Sequence, residues 1–206
     1  MKIHSLLAVG AAASMAVVSS ADFTQVSGEV EDLGDFYVVN LFVNFDDPNN
    51  VLLNLFDVNL GLSSGEFNHS DFAFGTGGSF NYLSTGDIPG FADSTLDSYV
   101  TIGTEGASLD PGFGDGSGGL VPNGAGWFDG TPTSYVQGET IAIGQFVFAN
   151  TGEEITFSFD GTIGYKGQPD HTNVSFAEGT YSVTVPAPGA LALLGLGGLA
   201  ARRRRA

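Results

Sequence analysis

From Phe36 to Phe45 apolar side chains recur at every second position. Tyr37, Val39, Leu41, Val43 and Phe45 share one face, and Asn40 and Asn44 stand on the other. A period of two is the signature of a strand with one buried face. The next apolar run, Val51 to Leu60, places Leu52, Phe56, Val58 and Leu60 together, and the intervening Asp46-Asp47-Pro48-Asn49-Asn50 is dense in turn-forming residues. The pair predicts a hairpin with a longish loop. Further strands are expected at Ser98 to Gly103, Thr140 to Ala149, Glu154 to Gly161 and Thr180 to Val185. In the third of these, Ile155, Phe157 and Phe159 alternate with Thr156, Ser158 and Asp160. The stretch from Gly61 to Asp97 breaks the pattern, being rich in Gly, Ser and Asn, yet it holds Phe67, Phe72, Phe74, Phe80, Tyr82 and Phe91. Disordered segments seldom carry so many rings, so it is expected to be an ordered insertion whose rings pack on the body of the fold or line a surface groove. Thr104 to Thr133 reads as loop. The expected class is all-β, an antiparallel β-sandwich of the jelly-roll type. A solenoid is the alternative, but no internal repeat of fixed period is present.

The two ends of the chain follow other rules. Met1 to Ala21 has Lys2 as a positive n-region, an apolar h-region from about Leu6 to Val18, and Ser19-Ser20-Ala21 as a small-residue cleavage site. It reads as a secretory signal peptide that is cut between Ala21 and Asp22, leaving residues 22–184 as the exported domain. After Val185 come Pro186-Ala187-Pro188, an apolar run from Gly189 to Ala201, and the cluster Arg202, Arg203, Arg204, Arg205. As a helix that run is only about 20 Å long, against a hydrocarbon core of about 30 Å. Snorkelling arginines and local thinning cover the shortfall, and the arginines stay cytoplasmic by the positive-inside rule.

This tripartite tail, residues 185–206, resembles the PEP-CTERM sorting signal of bacterial exported proteins. The proline motif, the short Gly-, Ala- and Leu-rich helix and the terminal arginines occur in the family's order. It departs at one position, because Ala187 stands where the family usually has a glutamate between the prolines. The resemblance implies recognition by an exosortase, a membrane transpeptidase-like protease that cuts near the proline motif and passes the protein to the cell surface or extracellular matrix. An ordinary C-terminal membrane anchor that is never cut is the alternative. The order of LDSYVTIG (Leu96 to Gly103), AGWF (Ala125 to Phe128) and IGQFVFA (Ile143 to Ala149) ahead of the tail also resembles uncharacterised exported proteins of this kind, which implies no particular activity.

Charge sharpens the picture. All 23 acidic residues lie between Asp22 and Glu178, whereas Lys2 and Arg202 to Arg205 lie in the two end segments; Lys166 alone against 23 acids makes residues 22–184 formally −22. Such a surface repels nucleic acid and anionic headgroups. It suits solubility, divalent cations, or a neutral or basic partner. With no cysteine, thiol catalysis, zinc–thiolate sites and disulfides are all excluded, and the domain must hold together through its core, which the 17 phenylalanines help to build.

Candidate chemistry is sparse. Within the exported part the histidines are His69 and His171; there is no G-x-S-x-G elbow and no recognisable histidine–metal spacing, so both are expected to be loop surface residues. Calcium, which takes oxygen ligands, is conceivable at Asp46 with Asp47 and at Asp110 with Asp115, although neither pair fits an EF-hand spacing. The plainer reading of these residues is turn formation. Trp127, the one tryptophan, is either a ring capping one end of the core or an exposed platform for a sugar. The sequons at Asn68 and Asn173 match the glycosylation pattern and are read as accidental. Three functions compete. The preferred one is a non-catalytic surface or matrix protein with a structural or adhesive role and no catalytic, cofactor or metal residue. The second is a carbohydrate-binding module that holds extracellular polysaccharide through Trp127 and neighbouring aromatics, with or without Ca²⁺. The third is a polysaccharide-degrading enzyme using a carboxylate pair, for which Asp129 beside Trp127 and Phe128 is the candidate member.

Overall fold

The computed structural model describes residues 22–70, 80, 87–90, 92–103, 108–109, 123–130, 135–167 and 172–187. They form an all-β structure of nine strands: β1 (Phe23–Asp32), β2 (Phe36–Phe45), β3 (Val51–Leu62), β4 (Tyr99–Val100), β5 (Ser108–Leu109), β6 (Asn123–Phe128), β7 (Thr140–Ala149), β8 (Ile155–Lys166) and β9 (Ser175–Val185). One short 3₁₀ turn, Ser94–Leu96, is the only helical element among the described residues. The strands make two antiparallel sheets, ordered β1-β2-β7-β4 and β5-β6-β3-β8-β9.

The alternation in β2 explains its place. Tyr37, Val39, Leu41, Val43 and Phe45 are all buried, and they face the second sheet, where Phe45 meets Tyr165 with ring centroids 5.3 Å apart. From β7, Phe146 stacks on Phe157 of β8 at 5.3 Å. These rings join one hydrophobic cluster drawn from both sheets, each buried ring contributing roughly 1.5–3 kcal/mol. Phe67 enters the same cluster from the segment after β3, touching Phe146 and Phe157, and Phe80 packs edge-on against it at 5.7 Å. Two rings of the glycine-rich insertion are thus core residues.

Several expected elements differ from the structure. β2 and β3 are not a hairpin: β2 is flanked by β1 and β7, and β3 by β6 and β8. The Asp46–Asn50 turn is a corner that carries the chain from one layer to the other, because both edges of β2 are already taken. The apolar face of β3 consists of Leu52, Leu55, Val58 and Leu60 rather than including Phe56. Irregularities between Leu52 and Asn54 and between Phe56 and Asn59, with Asp57 at φ 53°, break the two-residue period and turn Phe56 outward. β8 and β9 are longer than their apolar alternation suggests, and β1, β5 and β6 occupy stretches without a clean alternating pattern.

The layers also meet at one side. Gly28 of β1 lies against Tyr181 of β9, where a Cβ would come within 2.5 Å of the ring, so only glycine admits the approach. β9 starts opposite Tyr165 and ends with Val185 opposite Ile155. Asp22 stands at the other pole, beside Gly167, its carbonyl accepting from the Asp46 N–H. The described chain therefore enters at one end of the strands and leaves at the other.

Candidate functional site

A connected polar assembly lies where the segment after β3 meets the first sheet at β7. Ser98, fully buried, donates its hydroxyl to the Val147 carbonyl at 3.1 Å and accepts from the Val147 N–H at 2.8 Å. The hydroxyl thereby stands in for a peptide group at the edge of β7. Asn68 continues that edge: its N–H donates to the same carbonyl, its own carbonyl accepts from the Ser98 N–H, and its side-chain amide donates to Leu96 O. Gln145, pointing outward from β7, donates to the Ser94 and Asp97 carbonyls at 2.8 Å each. The Ser70 N–H donates to the Asp97 carboxylate at 2.8 Å.

His69 is part of this assembly, not a surface residue as its loop context suggests. Its side chain is 5% exposed, its ring meets Phe80 edge-on at 4.6 Å, and Nδ1 lies 3.0 Å from the Ser98 carbonyl and 3.8 Å from Asp97 Oδ1. Facing two acceptors, Nδ1 is the nitrogen that carries the proton. Ser, His and Asp thus converge, but not as a nucleophile with its base. The ring addresses the Ser98 carbonyl, and the hydroxyl is sealed against β7. Chemically, the cluster pins the crossover to the sheet. Asp97 Oδ2 is buried without a hydrogen-bond partner among the described residues. Asp87 also anchors the segment, accepting from Ser94 N–H and Oγ–H at 2.8 and 2.7 Å, and these bonds hold its carboxyl below the usual carboxylate range.

The residues singled out in the sequence fall elsewhere. Trp127 is 1% exposed and donates Nε1–H to the Thr101 carbonyl at 3.0 Å. It is a core ring with a satisfied polar end, and the exposed-platform reading of Trp127 is overturned. Asp129 follows β6, its N–H donating to Leu53 O. Asp47 Oδ1 accepts from the Asn49 N–H and side-chain amide, both at 2.8 Å, which is Asx-turn geometry. Asp46 reaches the buried Asn50 amide at 3.5 Å. No group of three or more His, Asp or Glu among the described residues is placed to hold a metal. Pro186 and Ala187 follow β9 in irregular backbone. Ala21, Asp110, Asp115, His171, Pro188, Gly189 and Arg202 to Arg205 lie outside the described residues.

A second candidate is the outer face of the second sheet. Pairing aligns Phe128 of β6, Asn54 of β3, Gly164 of β8 and Phe176 of β9 in one row across four strands. Phe128 and Phe176 are 44% and 60% exposed. In the adjacent row Phe56, Thr162 and Glu178 are aligned; Phe56 packs edge-on against Phe176 at 5.7 Å, and Thr162 donates to Glu178 at 3.1 Å. Lys166, from the same outward series of β8, lies 5.5 Å from the centre of the exposed Tyr135 ring.

Comparison of the chain with protein-family models, curated proteins and solved structures finds no match.

Proposed function

We propose that this chain is an exported, non-catalytic protein of the cell surface or extracellular matrix with a structural or adhesive role. In this reading residues 1–21 are a signal helix, residues 22–184 a jelly-roll-type sandwich, and residues 185–206 a PEP-CTERM-like sorting segment. Its short transmembrane helix holds the protein in the inner membrane until an exosortase-type protease acts. The single observation that carries the reading is the order of proline motif, apolar run and arginine cluster directly after Val185, the last residue of β9. Two antiparallel sheets around a common core, with a chain that crosses between layers, support the sandwich.

Intact mass of the protein recovered from the native surface and medium tests it. The expected species begins at Asp22 and ends between Pro186 and Gly189, and a variant lacking Arg202 to Arg205 stays unprocessed. A native species that still runs through Ala206 overturns sorting in favour of a plain membrane anchor.

A further inference from the structure

We propose that the pole of the fold at which β1 starts is a calcium site, formed by the Asn50 side-chain oxygen, the Asp46 carboxylate and the Asp22 main-chain carbonyl. The site belongs to the domain itself and does not depend on how the two ends of the chain are processed. Asn50 closes the corner between the sheets and is fully buried, and its Oδ1 has no hydrogen-bond partner among the described residues. Its amide end is aimed at the other two groups, 3.4 Å from the Asp22 carbonyl and 3.5 Å from Asp46 Oδ1. Hydrogen bonds of this kind centre near about 2.9–3.0 Å, so the side chain makes two long contacts and leaves its oxygen unused. The main chain around it is satisfied: the Asn50 N–H donates to the Asp47 carbonyl, the Asn50 carbonyl accepts from the Gly138 N–H, and the Asp46 N–H donates to the Asp22 carbonyl.

The spacing selects the occupant. Rotated half a turn about its last bond, the Asn50 amide fills the same space and presents Oδ1 to the Asp22 carbonyl and Asp46 Oδ1. Three oxygens then converge, an arrangement that needs a cation. Two oxygens each about 2.4 Å from Ca²⁺ and near a right angle are about 3.4 Å apart, whereas around Mg²⁺, at about 2.05 Å, they are about 2.9 Å apart. The observed 3.4 and 3.5 Å fit the larger ion without moving the backbone. Charge favours it too. Asp22 sets its carboxylate against Gly167, where a Cβ would collide with Oδ2, and Asp47 follows Asp46, so three acids share this pole. Lys166, aligned with Val51, lies over the Tyr135 ring. Asp47 serves the turn by accepting from Asn49, whereas Asp46 is exposed and open to water, which completes the shell. The ion would join the chain before β1, the end of β2 and the start of β3.

A site with three protein ligands and water falls in the weak range of extracellular calcium modules, with a Kd of about 10⁻⁴–10⁻³ M. Isothermal titration of the full chain in mild detergent, stripped beforehand with EDTA, should show a single Ca²⁺ bound in that range. About 10 mM CaCl₂ should raise the melting temperature by about 5 °C over NaCl of equal ionic strength. Asp46→Asn changes an exposed side chain and keeps an oxygen in place; it should weaken Ca²⁺ binding at least about tenfold and leave the melting temperature in EDTA unchanged. Asp160→Asn, on the outer face of β8, should bind like the parent. In NMR spectra the Asn50 side-chain amide should shift with Ca²⁺ occupancy. The proposal is overturned if no stoichiometric binding occurs up to about 10 mM, if NaCl raises the melting temperature as much, which is screening of an acidic surface, or if Mg²⁺ binds as tightly. It is overturned equally if Asp46→Asn binds like the parent. Should that variant fail to fold, the parent decides: an Asn50 side-chain resonance that Ca²⁺ leaves in place removes the site.

Discussion

The two sheets turn very different outer faces to their surroundings. On the first, Val38 and Val147 point away from the core yet are 3% and 0% exposed, and Gln145 between β4 and β2 is bonded to the crossover segment at Ser94 and Asp97. On the second, Phe128 and Phe176 point the same way and stay open. An apolar side chain on the outside of a sheet therefore has two meanings in one molecule. Where a segment clasps the sheet with hydrogen bonds it is a second core, and where the sheet is bare it is a surface for something else.

The sharpest way to break this contrast is to place a charge under the clasp. Val147→Asp should cost at least about 4 kcal/mol, since the carboxylate would be buried without a partner; denaturant melts would show it as a collapse of the midpoint or as failure to fold. Loosening the clasp is milder. Ser98→Ala removes a hydroxyl that bonds Val147 in both directions and should cost about 1–3 kcal/mol, with hydrogen exchange rising first at Val147. Acid acts on the Asp87 anchor. Asp87 has its folded value depressed by Ser94, so its contribution is present above the unfolded value and lost as pH falls through the folded one. Exchange at Ser94, corrected for intrinsic rate, should accelerate below that point while the strands of the second sheet keep their protection. The smallest effect belongs to the bare face: Phe176→Ser should change stability within about 0.5 kcal/mol. A larger loss in a chemical melt would mean that this face, too, is part of the core.

How much was legible follows from how local each signal is. β2 spans the stretch its alternation marks, Phe36–Phe45, because an unbroken period of two is written residue by residue, and β7 keeps its expected bounds, Thr140–Ala149, although an irregularity beside Gly144 shifts its inward positions from Ile141 and Ile143 to Phe146 and Phe148. β3 misleads at Phe56 because the irregularity around Asp57 changes which parity faces inward, and no residue type there announces it. β1 is an edge strand with an irregular start and Gly28 in its middle, and β6 reads Asn-Gly-Ala-Gly before its aromatic pair, so neither advertises a strand. The clasp joins His69 to Ser98 and Asn68 to Leu96 across 29 and 28 positions, distances at which sequence carries no geometric information without the topology. The aromatic row is hidden more deeply still, since Phe128, Asn54, Gly164 and Phe176 become neighbours only through the register of three separate strand pairings. Trp127 stands out as the single tryptophan, whereas the exposed rings of this row are phenylalanines that composition alone assigns to the core.

β9 begins at Ser175 and ends at Val185, the residue before the proline motif. From Phe176 to Val185 is nine residues, about 30 Å of extended strand. In the sorting reading proposed above, a protein held at the segment after Val185 would stand on its strands like a mast, its aromatic row near the masthead and its point of attachment at the foot. That row would then be held a strand's length away from the membrane, clear of the lipid headgroups beneath.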